Sequence, residues 1–300
     1  MGLLRDIHTA WARLADARNP RFTRFTHRLP EFPLPERRAL PDPPPQVAIL
    51  TPCRDAAPVL ETYARLIQSL DYPKDRLHWI VLEGDSADDT RARARAMLDA
   101  APGHAATRLI EYDLGTTTAG DRHRAGVQRA RRARIAACRN RLLAAALDTP
   151  AAYLLFVDVD MAAVPPDALR RALEWRAPIL VANCLSHDRD TVYDRNAFRY
   201  TAPVSDRSAA RFVRDGLYQP PAGFFRHYPA PCDGPGIAPL HSVGGTFLLI
   251  RRDVVEAGAD FPEEPYQLHI ETEGFALKAA DLGFGAFMAP GLIVRHGPNP

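Results

Sequence analysis

From Gln46 onward the chain alternates between two hydrophobic periods. Apolar runs of strand length, "QVAILTP" (46–52), "LHWIVLEGDS" (77–86), "ATRLIEYDL" (106–114) and "YLLFVDVDM" (153–161), are separated by stretches with helical spacing. The spacing predicts helices over about Asp55–Leu70, Ala87–Ala101 and Arg122–Leu147, and a further one in "VPPDALRRALEW" (164–175). This βαβαβαβ order predicts an α/β fold with a mostly parallel central sheet and helices on both faces. Before it, "LPDPPPQ" (40–46) carries four prolines and reads as a linker. Further upstream, Leu3, Leu4, Ile7, Trp11 and Leu14 recur at helical spacing among arginines, which fits a helix docked on its own domain or lying on a membrane surface. The predicted organisation is therefore residues 1–45 as helix and linker, and residues 46–300 as one domain.

Composition removes some function classes. With 38 basic and 36 acidic residues among 300, the net charge of +2 gives no global case for a polyanionic partner. Cys53, Cys138, Cys184 and Cys232 form no CxxC pair, which argues against a zinc ribbon or a disulfide framework. No apolar run approaches the ~20 residues that span a bilayer, and the N-terminus lacks a signal-peptide core. The expectation is a soluble, cytoplasmic protein.

Chemistry enters at "YLLFVDVDM". A buried strand carries two acids, Asp158 and Asp160, at its carboxyl end, where ligands bind in parallel α/β sheets. Unpaired buried charge is costly, so something must offset them. Two hard oxygen ligands at i and i+2 suit Mg²⁺ or Mn²⁺, ions that keep positions open for substrate phosphates. The alternative is that they cap the next helix. Neither GxxxxGK[ST] nor a GxGxxG after a strand is present, which sets aside P-loop and Rossmann enzymes. An aspartyl phosphatase is expected to carry its DxD on the first strand, where this chain has "LTPCRD". A nucleotide-sugar transferase is left as the leading class.

The third helix carries eight arginines and no acid between Arg122 and Arg141. Its apolar stripe runs through Val127, Ile135, Cys138 and Leu142, and Arg131 falls in register with that stripe. An inward arginine must meet an anion or a carboxylate. Arg132 and Arg139 share a neighbouring face, while Arg129 and Arg141 read as solvated. A nucleic-acid site on this helix lacks the accompanying aromatics or a known motif, so no nucleic-acid partner is expected.

Several segments, in order, resemble glycosyltransferase family 62, the Anp/Mnn/Van group of fungal mannan-polymerase mannosyltransferases. They are "VAILTPCRDA", "LDYPKDRLHWIVLEGDSADDT", "DRHRAGVQRARRARIAACRNRLL", "LLFVDVDM", "VYDRNAF", "GGTFLLIRRDV", "IETEGFALKAADLGFG" and "IVRH", spanning about Val47 to His296. The resemblance implies a GT-A fold with a nucleotide-binding half (46–161) and an acceptor half (162–300). It also implies GDP-mannose as donor, Mn²⁺ (or Mg²⁺) as cofactor, and transfer with retention of configuration. Position by position, it makes Asp158, Asp160 and His296 metal ligands. Thr51, Arg54, Asp55 and Asp85 are assigned to the nucleotide. Arg131, with His123 or Arg139 near it, is set against the phosphates, with Asp158 also serving the donor. Asp194, Glu271 and Glu273 face the sugars, and a role for Glu273 as a helix-start acid stands beside that one.

No stretch matches the N-terminal membrane helix of the fungal members, so a glycan, lipid-linked or small-molecule acceptor is expected, with peripheral membrane contact at most. Another nucleotide-sugar donor, or a subunit that binds without turnover, is the alternative. Residues 199–236 are proline- and aromatic-rich with little periodicity, and read as an acceptor-binding loop or lid. There Tyr218, Phe224, Phe225 and Tyr228 either stack on sugars or pack.

Overall fold

A computed structural model describes residues 31–113, 115, 125–202, 204, 209–221, 223–230 and 236–298. The N-terminal helix expected before residue 31 lies outside the described residues, as do His123 and Cys232.

Four strands, β1 (Val47–Cys53), β2 (Leu77–Glu83), β3 (Ala106–Glu111) and β4 (Tyr153–Val157), pair in parallel in the order β3-β2-β1-β4. Next to β4 comes β12 (Phe247–Arg251), antiparallel to it and to β6 (Ile179–Ser186) on its other side. The long β13 (Ala286–His296) then pairs in parallel with β6. β11 (Ala238–Leu240) and β5 (Met161–Ala163) both join β13 antiparallel. Six of these nine strands point one way, so the sheet is mostly parallel, and the reversed β12 splits it into two parallel blocks.

Alternate strand residues feed two cores. On one face, Ile49, Trp79, Val81 and Leu155 meet α1 (Leu60–Gln68), α2 (Thr90–Asp99) and α4 (Ala168–Glu174). Leu50, Ile80, Leu82 and Phe156 point the other way, to α3 (Ala125–Leu147), α5 (Arg252–Glu256) and α6 (Glu271–Asp281). Helix α1 begins at Leu60 and not near Asp55, because Asp55 sits in the left-handed region at φ 47° and Pro58 disfavours a helical residue before it. The proline-rich stretch is packed: Phe32 and Leu40 lie against the first core, and the Arg38 amide donates to the Glu174 carbonyl at 2.7 Å. Among the described residues no helix is long and apolar enough to cross a membrane.

The segment expected as a loop has a small core of its own. Two-residue strands β7 (Arg199–Tyr200) with β10 (Arg226–His227), and β8 (Val213–Arg214) with β9 (Leu217–Tyr218), surround Phe198, Tyr200, Tyr218 and Phe225. Packing is therefore what Tyr218 and Phe225 do; Phe224 and Tyr228 are partly buried against them.

Candidate active site

Strand direction assembles the site. β1, β2, β4, β6 and β13 all end at one edge, and antiparallel β12 begins there. After β4 the chain places Asp158 and Asp160, then turns into β5, whose Met161 pairs with His296 at the end of β13. The Gly297 amide donates to the Asp160 carbonyl at 2.8 Å and clamps the two ends together. Ligand atoms of Asp158, Asp160 and His296 lie within 4.8 Å of one another.

The chemistry of this triad fits a cation. His296 Nδ1 is 2.8 Å from the Gly297 carbonyl, which can only accept, so Nδ1 carries the proton. Its Nε2 then turns toward Asp160 Oδ1 at 3.0 Å, an arrangement that needs a proton or a metal between two lone pairs. Burial works against the imidazolium, but the bond and charge of Asp160 and the Gly297 carbonyl leave its pKa raised overall. The Tyr193 ring stacks on His296 with centroids 3.8 Å apart and fixes the imidazole plane. Burial pushes the Asp158 carboxyl up to about 6, opposed by Arg139, with Asp160 and Asp194 adding to the rise.

Beside the triad, Arg139 is buried and donates to Asp158 Oδ1 at 3.2 Å. Its guanidinium lies over Phe156 and Phe261, 5.1 and 5.4 Å from the ring centroids. Gly244 and Gly245, just before β12, make room for it and for Asp194. A Cβ on Gly245 would stand 2.2 Å from Arg139 Nη2, and one on Gly244 1.7 Å from Asp194 Oδ2. Asp194 is held by the Thr246 hydroxyl at 3.1 Å and the Asn196 amide at 3.2 Å. Arg139 Nε and Nη1 are buried without a partner among the described residues.

A second charged cluster adjoins the first through Arg132, which senses Glu271, Glu273 and Asp194. Arg132 Nη1 donates to buried Glu271 at 2.9 Å, and Arg226 Nη1 to buried Glu273 at 3.2 Å. Glu271 and Glu273 open α6, but both face inward to guanidiniums. Burial pushes the Glu273 carboxyl up, and Arg226 and Arg132 pull it back. Across both clusters five carboxylates (Asp158, Asp160, Asp194, Glu271, Glu273) face three guanidiniums (Arg132, Arg139, Arg226), an excess that one divalent cation would balance.

The nucleotide-assigned residues divide. Asp55 and Asp85, both in left-handed backbone after β1 and β2, knit the adjoining loops. Asp55 accepts from the Ala87 amide at 2.8 Å, and Asp85 from the Gly115 amide at 3.1 Å. Arg54 lies 3.4 Å from Asp55 at the same exposed rim. Thr51 turns its side chain away from the rim: it is fully buried, donates to the Val157 carbonyl at 2.9 Å and shares a hydrogen bond with Tyr63. Its side chain faces the α1 core because β1 alternates that way. Arg131 is exposed, so it is not on the buried stripe of α3; the turn is set by Ala136, Leu143 and Ala146, which put Arg139 and half-buried Arg132 inward. Sequence reasoning missed Arg226, Tyr193 and the Gly244–Gly245 cradle. Tyr193 and the glycines stood in quoted motifs, whereas nothing local marked Arg226.

The Anp1 family matches residues 41–265. The chain is 29% identical over 272 residues to the mannan polymerase complex subunit mnn9 of Schizosaccharomyces pombe, covering 84% of this chain and 80% of that one. It is 26% identical to the mannan polymerase II complex anp1 subunit of the same yeast, covering 85% of this chain but 64% of that longer relative. In fold it is similar to the mannosyltransferase PcManGT of Pyrobaculum calidifontis, solved with GDP-Man and Mn²⁺, with a TM-score of 0.55 and 16% identity over 98% of this chain and 67% of the other.

Proposed function

Because this chain belongs to the Anp1 family of glycosyltransferases, we propose that it is a metal-dependent enzyme moving mannose from GDP-mannose to a glycan, lipid-linked or small-molecule acceptor, with retention of configuration. The observation that carries this reading is the convergence of Asp158, Asp160 and His296 beside buried Arg139 at the carboxyl edge of the sheet. Asp158, Asp160 and His296 would hold a divalent cation, and the imidazole favours Mn²⁺ over Mg²⁺. When bound, that ion supplies positive charge for the donor's diphosphate.

The chain's own residues supply the rest. Breaking the bond between sugar and phosphate leaves negative charge on the diphosphate, and Arg139, with Nε and Nη1 both unspent, is built to receive it. It is pre-oriented by Phe156, Phe261 and Gly245, so little reorganisation accompanies the reaction. The loops carrying Asp55 and Asp85 form the rim for base and ribose. Asp194, Glu271 and Glu273 present negative charge where the sugar becomes oxocarbenium-like. Arg132 and Arg226 keep Glu271 and Glu273 fixed until then, and Thr246 and Asn196 do the same for Asp194.

Thermal unfolding with GDP, UDP, ADP and CDP, each with and without Mn²⁺, tests the reading. A nucleotide at ~100 times its dissociation constant stabilises by about 2.7 kcal/mol. The expected result is a shift with GDP that needs Mn²⁺ and disappears in Asp160→Ala. No shift with any nucleotide would remove the reading. Metal-dependent GDP binding without consumption of GDP-mannose would instead make the chain a donor-binding subunit.

A further inference from the structure

The described residues between Phe198 and Tyr228, a stretch that reads as irregular in sequence, are organised around one cation. Arg226 is nine-tenths buried, with its guanidinium 4.0 Å from the Phe198 ring centroid and 5.6 Å from that of Tyr218. Its strand β10 pairs with β7, which sets Arg226 opposite Tyr200. The preceding Phe225 is forced into the left-handed region at φ 53°, a conformation a bulky residue avoids, and its carbonyl is held by the Thr201 amide at 2.9 Å. That turn buries Phe225 and sends Arg226 inward, where Nη1 meets Glu273 Oε1 at 3.2 Å.

Besides Arg226, a backbone hydrogen bond from Ile270 at the start of the same helix also favours the Glu273 carboxylate. Arg132 of α3 contributes positive charge, Glu271 of its own helix negative charge, and Tyr200 of β7 and Tyr218 of β9 weakly acidic hydroxyls. Arg132 already donates to Glu271. Arg226 is therefore the group that gives Glu273 its direct ion pair. A buried carboxylate without its partner takes up a proton.

We propose that Arg226 is a positioning residue for the reaction: it fixes the Glu273 side chain, as a carboxylate, on the sugar-facing side of the site. The described residues between Phe198 and Tyr228 then form a packed wall that sets this carboxylate. This rests on the transferase reading given above.

The test is a ¹³C titration of side-chain carboxyls in the full chain, with the Glu273 signal assigned by its loss in Glu273→Gln. In the wild type Glu273 is expected to be ionised at pH 7. In Arg226→Gln its midpoint should climb by about 1 to 3 pH units, and Arg226→Lys should restore most of that change. The acid limb of GDP-mannose consumption should move by the same amount, while GDP with Mn²⁺ still binds Arg226→Gln. An unchanged midpoint in folded Arg226→Gln, or a limb that stays put while the carboxyl moves, overturns the proposal. Should Arg226→Gln not fold, the wild type decides, because a Glu273 found protonated at pH 7 also overturns it. If wild type fails to bind GDP with Mn²⁺, the transferase reading falls, and the ligand-free titration still decides whether Arg226 holds Glu273 ionised.

Discussion

Gly245→Ala is the most informative single change near Asp158, Asp160 and His296, because the added methyl collides with one identifiable group. The new Cβ would lie 2.2 Å from Arg139 Nη2, 2.7 Å from Cζ and 2.8 Å from Nη1, so the guanidinium has to leave its seat between Phe156 and Phe261. Moving it breaks the 3.2 Å bond to Asp158. Losing one partner of a buried ion pair costs about 3–5 kcal/mol, and because Asp158 is half-buried the lower end applies. Alanine's smaller unfolded-state entropy offsets ~0.4–1 kcal/mol, since Gly245 is not in left-handed backbone. The expected net loss of about 2 kcal/mol lowers Tm by roughly 3 °C for a chain of this size. Gly291→Ala is the control: its Cβ would meet nothing within 4 Å, and its effect should stay within about 0.5 kcal/mol. Differential scanning calorimetry of both variants, with and without Mn²⁺, reads the outcome. Without Arg139 the Asp158 carboxyl binds its proton more tightly, so the Mn²⁺-induced rise in Tm at pH 6 should shrink in Gly245→Ala alone. Equal Tm for the two variants, with equal response to Mn²⁺, would refute the claim that the glycine cradle locks Arg139.

Three further outcomes follow from the same geometry. The Asp158 carboxyl rises from 3.8 to about 6 on folding, so the fold favours its protonated form. That contribution is complete below pH 3.8 and gone above about pH 6, a loss of about 3 kcal/mol in metal-free protein over that window; Mn²⁺ should restore stability above pH 6 and do little at pH 4.5, as denaturant midpoints across pH will show. Thr51→Val removes the hydroxyl bonded to Val157 and Tyr63, and should cost about 1–2 kcal/mol in urea unfolding while leaving GDP affinity unchanged, contrary to a nucleotide role. Glu271→Gln leaves Arg132 with a neutral acceptor for its 2.9 Å bond and should cost about 1–2 kcal/mol, measured by the same unfolding, with metal-dependent GDP binding intact.

What the sequence revealed depended on whether position followed from backbone direction. Strand ends are of that kind: an apolar run that stops at Asp158 and another that stops at His296 must bring both residues to the same edge if the strands run parallel, and they do. Side-chain facing on α3 was harder. Reading its apolar stripe from Val127, Ile135, Cys138 and Leu142 put Arg131 inward, because alanine hardly registers in a hydrophobic pattern. Yet Ala136 and Ala146 are buried with Leu142 and Leu143, and they turn Arg139 toward the sheet. A buried arginine reads as polar until the carboxylate it serves is known, and Asp158 lies 19 residues away in another element. Arg226 is the extreme case, with Glu273 47 residues away and an aromatic setting made by two-residue strands that leave no period to detect.

The charges that sequence pattern hides are also the ones that define the site. Residue by residue, Asp158, Asp160, Asp194, Glu271 and Glu273 each have a nearby cation or hydrogen-bond donor and look satisfied. Taken together they outnumber the three guanidiniums by two, and the surplus is concentrated where Asp158 and Asp160 meet His296 Nε2. A fold selected for stability alone would have no reason to keep those lone pairs facing one another at 3.0 Å. Burial, with Asp160 and Asp194 adding to it, raises the Asp158 carboxyl, and the bond to Asp160 raises His296; a divalent ion held between them would compete with both protons. If this cluster holds a cation, Asp160→Asn, which removes one of the three converging ligand groups, should weaken metal binding while lowering the Asp158 carboxyl toward its ordinary value, and a metal titration beside a pH titration of the variant reads both.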